Sequence, residues 1–582
     1  MAEIKQVFEL ASLPGIKRDG TMLDGDHYSD GQWVRFQRGR PRSIGGHKEL
    51  SRDIQGEVYS ALVYKKAGVL TVLGFSTREI AEISVSSSFA STGIGSRYPT
   101  GVSILAPSEV LWSVDAQFDA AAGSEDSLVL ALPADNLTSL DGTTERKLYV
   151  ANTNDSSLFY EVSDVNAMAS GGVYVCHPYT VLYGNAGKVT WSNANEPQNM
   201  TTGEAGTTRV TDAKIVKGLS LRSGSGASGL LWSLNSVIKQ EWIGGDSIFR
   251  FSTISRNSSI LSANCVVDYD GTFFWVGVDR FYVSDGNQVS ELPNDLNFNW
   301  FFDSLNQEHA TKVFAVKNTR FGEIWWYFPK DAATECSHAI IYNVREKTWY
   351  DTENRRSAGF QGVVSNPVLF GRELLTRRTL TVTAWTGTPP VVGSLVTDGV
   401  SSTYATVVYI SGNTIRVRTT NDPALFTTSN TIINATGTVY WGTAEVNDPM
   451  TSIIVHELGV NHMLPDESEE SILSHVTSSD IGLPTGGTAP SSGTGLNRWT
   501  RLVRVEPDFI LGADATLEIL GREFANTPEV TTGPFTFDDS TTKIDMRTQH
   551  RHIRLKFSSS SLNGSFQMGR VLLHTEPGDI RN

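Results

Sequence analysis

The chain has 582 residues and a formal net charge of −15, with 39% hydrophobic, 10% aromatic and only 19% charged residues. That length passes the roughly 250–300 residues at which a single core stops growing, so several folding units are expected. The acidic balance argues against a surface that grips nucleic acid as a whole, and the apolar content excludes a disordered chain.

The N-terminal stretch MAEIKQVFELASLPG lacks the basic start and apolar core of a secretory signal. No run approaches the ~18 apolar residues of a membrane span. The expectation is a soluble protein without membrane anchoring, folded in a reducing cytoplasm. Cys176, Cys265 and Cys336 lie far apart and form no CxxC pair, so they read as buried small hydrophobes.

Residues 1–55 read as an N-terminal arm or platform segment. It holds the one dense basic cluster of an acidic chain: Arg35, Arg38, Arg40 and Arg42, with Lys17, Arg18 and Lys48 nearby. On an extended strand Arg38, Arg40 and Arg42 would share one face. Two roles fit such a face, phosphate contact from a channel wall and ion pairing with an acidic neighbouring subunit.

From residue 56 to 374 one unit recurs: an apolar strand, a polar turn and a second strand that alternates apolar with polar. The hairpins are 68–85, 146–164, 179–197, 229–245, 272–293 and 323–351. The last four start near residues 180, 230, 273 and 324, close to the about 40–50 residues of a four-stranded propeller blade. The pattern predicts an all-β protein built on a β-propeller of about six blades, with additional small β domains. The wider gap between the first two hairpins predicts an insertion or a further blade there. A β-sandwich or a run of unrelated hairpins is the plainer alternative. Trp191, Trp232, Trp242, Trp275, Trp325 and Trp326 fall in or beside the hairpins and read as core.

Residues 375–445 are rich in Thr, Val and Gly and read as an inserted small β module, with a two-residue hairpin turn at Gly412-Asn413. The stretch 483–495 is Ser/Thr/Gly/Pro-rich and reads as a flexible loop. The remainder of 446–582 reads as a C-terminal β platform, and it carries a second, weaker basic patch of Arg547, Arg551, Arg554 and Lys556.

The most enzyme-like string is VHELGVNHMLPDE at 455–467. In a helical HExxH, two imidazoles one turn apart bind zinc. His456 and His462 are six residues apart, on different faces of a helix and about 20 Å apart on a continuous strand. Asp268-Tyr-Asp270-Gly271 and Asp24-Gly25-Asp26 lack the rest of a calcium loop and read as turns. No P-loop, nucleophile elbow or Cys/His nucleophile appears, so no catalytic residue, metal or cofactor is expected.

Three blocks carry a family resemblance. In 13–50, Gln32-Trp33, Arg35-Phe36, Arg38-Gly39, Pro41-Arg42 and Gly45-Gly46 follow one another. In 177–200, HPYTVLYGNAGKVTWSNANEPQNM ends a hairpin with Trp-Ser and a Pro-containing loop. The third is TTKIDMRTQHRHIRLKFSSSSLNGSFQMGRVLLHTEPGD at 541–579. Together they resemble the tail hub or nozzle proteins of short-tailed bacteriophages. The resemblance implies a non-enzymatic virion protein, assembled in the host cytoplasm as a homohexameric ring below the portal and its head–tail adaptor. Such a ring continues the DNA channel, retains the genome and docks spikes or fibres and a needle or plug protein. A carbohydrate-binding or glycan-cleaving propeller of a phage particle is the rival from another class, and it predicts carboxylates and aromatics at the propeller's central mouth.

Overall fold

A computed structural model describes the chain except for residues 1–5, 22–25, 77–78, 88–90, 100–109, 121–125, 136–144, 222–225, 246, 361, 363–366, 372–376, 382–388, 392–393, 399–403, 412–413, 420–431, 435–438, 441–449, 465–467, 482–498 and 579–582. Asp24-Gly25, the turn pair Gly412-Asn413 and the 483–495 stretch lie outside the described residues.

The protein is all-β, with many small antiparallel sheets. Six four-stranded sheets follow one another, each with its strands in chain order. Their first strands are Val58–Lys66, Val110–Asp119, Gly172–Cys176, Ile215–Ser220, Val267–Tyr269 and Phe314–Asn318. Each predicted hairpin falls in a different sheet. Among the described residues, the wide gap after the first hairpin holds Ser91–Ser96, the last strand of the first sheet, and Val110–Asp119 and Asp126–Asp135, the first half of the second, and no further sheet. Not every strand alternates: in Glu323–Phe328 every side chain is buried, as in a strand covered on both faces. Trp232, Trp275 and Trp326 are fully buried, and Trp232 lies 5.5 Å from Phe273 and 5.7 Å from Trp275 between the fourth and fifth sheets. Trp325 is also buried, whereas Trp242 is 46% exposed and does not belong to the core.

Several first strands lie against one another. Val110–Asp119 lies against Val58–Lys66 on one side and Gly172–Cys176 on the other, and Phe314–Asn318 lies against Val267–Tyr269. The short strand Ala358–Gly359 touches both Phe314–Asn318 and Val58–Lys66, bringing the sixth sheet back to the first. A cavity of about 310 Å³ is lined from all six sheets, by residues such as Ser60, Asp115, Lys217, Asn264 and Lys317.

The two ends of the chain are woven together. Gln6–Glu9 pairs with Leu572–Pro577, and Asp30–Gln32 pairs with Ser474–Thr477. Arg40–Ser43 pairs with Phe566–Met568, and His47–Gln55 lies between Met450–His456 and His462–Met463. Four sheets thus mix strands from before residue 56 with strands from after residue 449. Described strands before residue 56 are tied in this way by backbone pairing to strands near the other end of the sequence, while Leu13–Ile16 pairs with His27–Tyr28 and Val34–Gln37 with Arg40–Ser43 within the segment itself. Strands between Arg377 and Tyr440 form a six-stranded sheet of their own, in which Ser411 pairs with Thr414. No helix among the described residues is long and apolar enough to cross a membrane.

Candidate functional site

The expected basic face is mostly an internal structure. The hairpin Val34–Gln37/Arg40–Ser43 turns at Arg38 and Gly39, both with positive φ, of 52° and 74°. Arg38 therefore sits in the turn and does not share a strand face with Arg40 and Arg42, as uninterrupted alternation had suggested.

Arg35 points inward and is 1% exposed. Its guanidinium donates to both Glu323 oxygens, at 2.8 and 3.0 Å, and to Glu457 Oε2 at 3.1 Å, with a further, closer bond to Glu457 Oε1. It also lies 3.6 Å over the Phe321 ring. Tyr350 Oη and Trp325 Nε1 donate to Glu323 at 2.7 and 2.9 Å, and Asn318 Nδ2 donates to Glu457 at 2.9 Å. Burial works against the Arg35 charge, but the two carboxylates outweigh it and raise its pKa above the ordinary value. As a surface contact Arg35 is corrected: it locks the N-terminal segment to the sixth sheet and to the turn after His456.

Most of the other predicted residues are engaged in the same way. Arg18 donates to Asp351 at 2.9 and 3.0 Å and to Asp30 at 2.6 Å. Arg40 pairs with Glu9 at 2.6 Å, and Arg42 donates to Gln37 at 3.1 Å. Lys17 is half-buried, and its peptide N–H donates to the Tyr28 carbonyl at 2.9 Å. In the weaker patch Arg554 shares buried Asp480 with Arg522, at 3.0 and 2.7 Å. Lys556 reaches Glu518 at 3.3 Å, Arg551 lies 5.7 Å over Phe524, and Arg547 is exposed.

The two histidines of the enzyme-like string do meet. Positive φ at Glu457 and Gly459 turns the chain back, so that His456 and His462 both pair with His47, one on each side. The ring centroids lie 5.4 and 4.3 Å from His47, a correction to the separation a continuous strand would impose. Arg356 Nε donates to His456 Nε2 at 3.0 Å, so that nitrogen is an acceptor and the imidazole is neutral. Burial, then Arg356 and the neighbouring imidazoles, hold His47 and His456 well below the usual histidine range. No group of His, Cys, Asp and Glu among the described residues is arranged to hold a metal. Asp268 caps the turn at Asp270-Gly271, accepting from Gly271 N at 2.8 Å. All three cysteines are buried and free.

One exposed basic rim does exist, and the sequence reading found only one of its members. Three turns converge at one end of the sixth sheet: 38–39, 319–322 and 344–347. Glu346 accepts from the peptide N–H of Arg38 and, at 3.0 Å, from that of Gly39. Arg345 donates to the carbonyls of Arg320 and Thr319 at 3.0 and 2.7 Å. Arg38, Arg320, Arg345 and Lys347 are all exposed, and no carboxylate pairs with any of their side chains among the described residues. The available signal was the pair of turn strings NTRFGE and NVREKT, whose bases cluster only once the strands fold.

No protein-family model matches the chain, and no curated protein matches it. Among solved structures it is similar to an exo-β-1,3-galactanase from Phanerochaete chrysosporium, at 9% identity and a TM-score of 0.25 over 90% of this chain and 100% of that one. It is similar to the computationally designed Ika8 protein at 11% identity and a TM-score of 0.32, over 62% of this chain and 96% of that one. A protein of Bacteroides fragilis described as exported gives 10% identity and a TM-score of 0.26, over 56% and 84%. Likenesses this weak carry no argument about activity.

Proposed function

We propose that this chain is a structural nozzle or hub subunit of a short-tailed phage tail, whose six consecutive sheets form a six-bladed propeller. The observation that carries this reading is the weaving of the two terminal blocks, those that resemble the nozzle family, into one platform beside the six sheets. A scaffold whose ends share four sheets resists being pulled apart, which suits a part that bears load and presents surfaces to neighbours. The six-bladed reading is supported by the six consecutive sheets that all contribute residues to the lining of one cavity.

That cavity is not the DNA path. Its about 310 Å³ would hold about ten waters, whereas the major groove of a duplex alone is about 12 Å wide. In this proposal DNA passes between six copies arranged as a ring. The adaptor, spikes or fibres and needle dock on the outer surfaces, and the protein belongs to the virion tail.

Negative-stain electron microscopy of the purified chain mixed with a portal–adaptor complex tests the reading. A six-fold ring stacked on the adaptor is expected. A chain that stays monomeric and ignores the adaptor would sink it.

A further inference from the structure

The sixth sheet separates two surfaces of opposite charge. Its strand Glu323–Phe328 runs from the basic rim to the corner at Pro329 and Lys330, about 20 Å away at 3.3 Å per residue. At that far end an open cavity of about 490 Å³ is walled by Trp300 and Arg18, with Asp303 and Asp331 around it and Asp19 taken up by the peptide N–H groups of Asn299 and Trp300 at 2.8 Å each. The helix Phe298–Ser304 and the 329–331 corner are held together there, since Asp331 N donates to the Ser304 carbonyl at 2.6 Å.

The charges at the two ends are differently engaged. At the rim, Glu346 is taken up by two peptide N–H groups, leaving four cations without a carboxylate among the described residues. At the cavity, the local cations are already committed. Arg18 is bound to Asp30 and Asp351, and both Arg18 and Lys330 lie 5.8 Å over the Trp300 ring. Asp303 is exposed and has no ion-pair partner among the described residues. Asp331 is paired only with its neighbour Lys330 and remains 67% exposed.

We propose that the basic rim of one copy docks on the acidic cavity of a second copy, head to tail. The occupant is argued from charge complementarity: at one end of the sheet stand four cations that no carboxylate pairs among the described residues, and at the other stand the unpaired carboxylate of Asp303 and that of Asp331, which meets only the adjacent Lys330 among the described residues and stays mostly exposed. Because the two patches differ and sit at opposite ends, the contact is heterologous, and repetition closes a ring if the rotation allows. This inference rests on the ring-forming reading above and names the surfaces that would build the ring.

Sedimentation of the full chain tests it, with a charge swap. R345E/K347E and D303K/D331K should each weaken self-association by at least about tenfold, since like charges across an interface cost several kcal/mol. The chain carrying all four changes should recover most of that loss, and association of the unchanged chain should weaken as salt rises. Circular dichroism separates a misfolded variant from a dissociated one, and K347E alone serves as the milder change. Three outcomes overturn the proposal: single-side variants that associate normally, a four-fold swap that restores nothing, or rim variants that lose only duplex-DNA binding. Normal rings in the first case leave the nozzle reading standing, whereas a chain monomeric at every concentration and salt removes both.

Discussion

Arg35 and Arg38 are three residues apart and meet opposite fates. Arg35 is enclosed by two carboxylates, one of them also bonded by Tyr350, and an aromatic ring, while Arg38 stands in a turn with its side chain in solvent. A basic cluster in a sequence therefore carries two kinds of arginine that composition cannot separate. One kind offsets buried carboxylates and specifies how distant segments meet. The other is free to meet a partner.

Breaking the buried kind should have the largest effect. Arg35→Met strands Glu323 and Glu457 in a low-dielectric site, and a loss of about 3–5 kcal/mol is expected in chemical denaturation. R35M/E323Q/E457Q should recover much of it, because no charge is then left uncompensated; equal losses in both variants would show that packing, not charge, dominates there.

Next comes the histidine cluster beside it. Burial holds the folded-state pKa values of His47 and His456 well below the ordinary histidine range near about 6.5, so the unfolded chain takes up protons that the folded one refuses. Stability is then fully present above about pH 6.5 and falls as pH drops, by up to about 2 kcal/mol between about pH 6.5 and 5.5. The groups facing the cluster are Arg356, Arg35, His462 and, across His462, Glu49 and Glu470. His456→Gln should flatten this slope, which thermal melts at a series of pH values would register.

Arg40 falls between the two kinds. Its pair with Glu9 has both side chains about a third exposed, at 35% and 36%. Arg40→Ala should cost at most about 1 kcal/mol, and that cost should shrink in high salt. Smallest of all is Arg345→Ala, expected within about 0.5 kcal/mol by the same denaturation assay. A large loss there would mean that its two carbonyl contacts hold the turns together, and the rim would then be structural.

Much of the scaffold was legible because it is local. Strand–turn–strand cadence and buried aromatics such as Trp275 and Trp326 mark hairpins without knowledge of what lies elsewhere. The candidate surfaces were not legible. Arg38 was visible as a charge, but Arg320 and Arg345 join it only because three turns converge, and nothing in their spacing announces that.

By itself, then, the sequence determined an all-β chain of repeated hairpins, since periodicity and turn chemistry act over a few residues. Tertiary structure alone decided that the chain's ends interweave, that His456 and His462 flank His47, and which arginines are spent. The partners of Arg35 lie 288 and 422 residues away. Burial makes such pairing obligatory, because an unpaired charge in the interior is costly, but only the fold chooses which carboxylates answer.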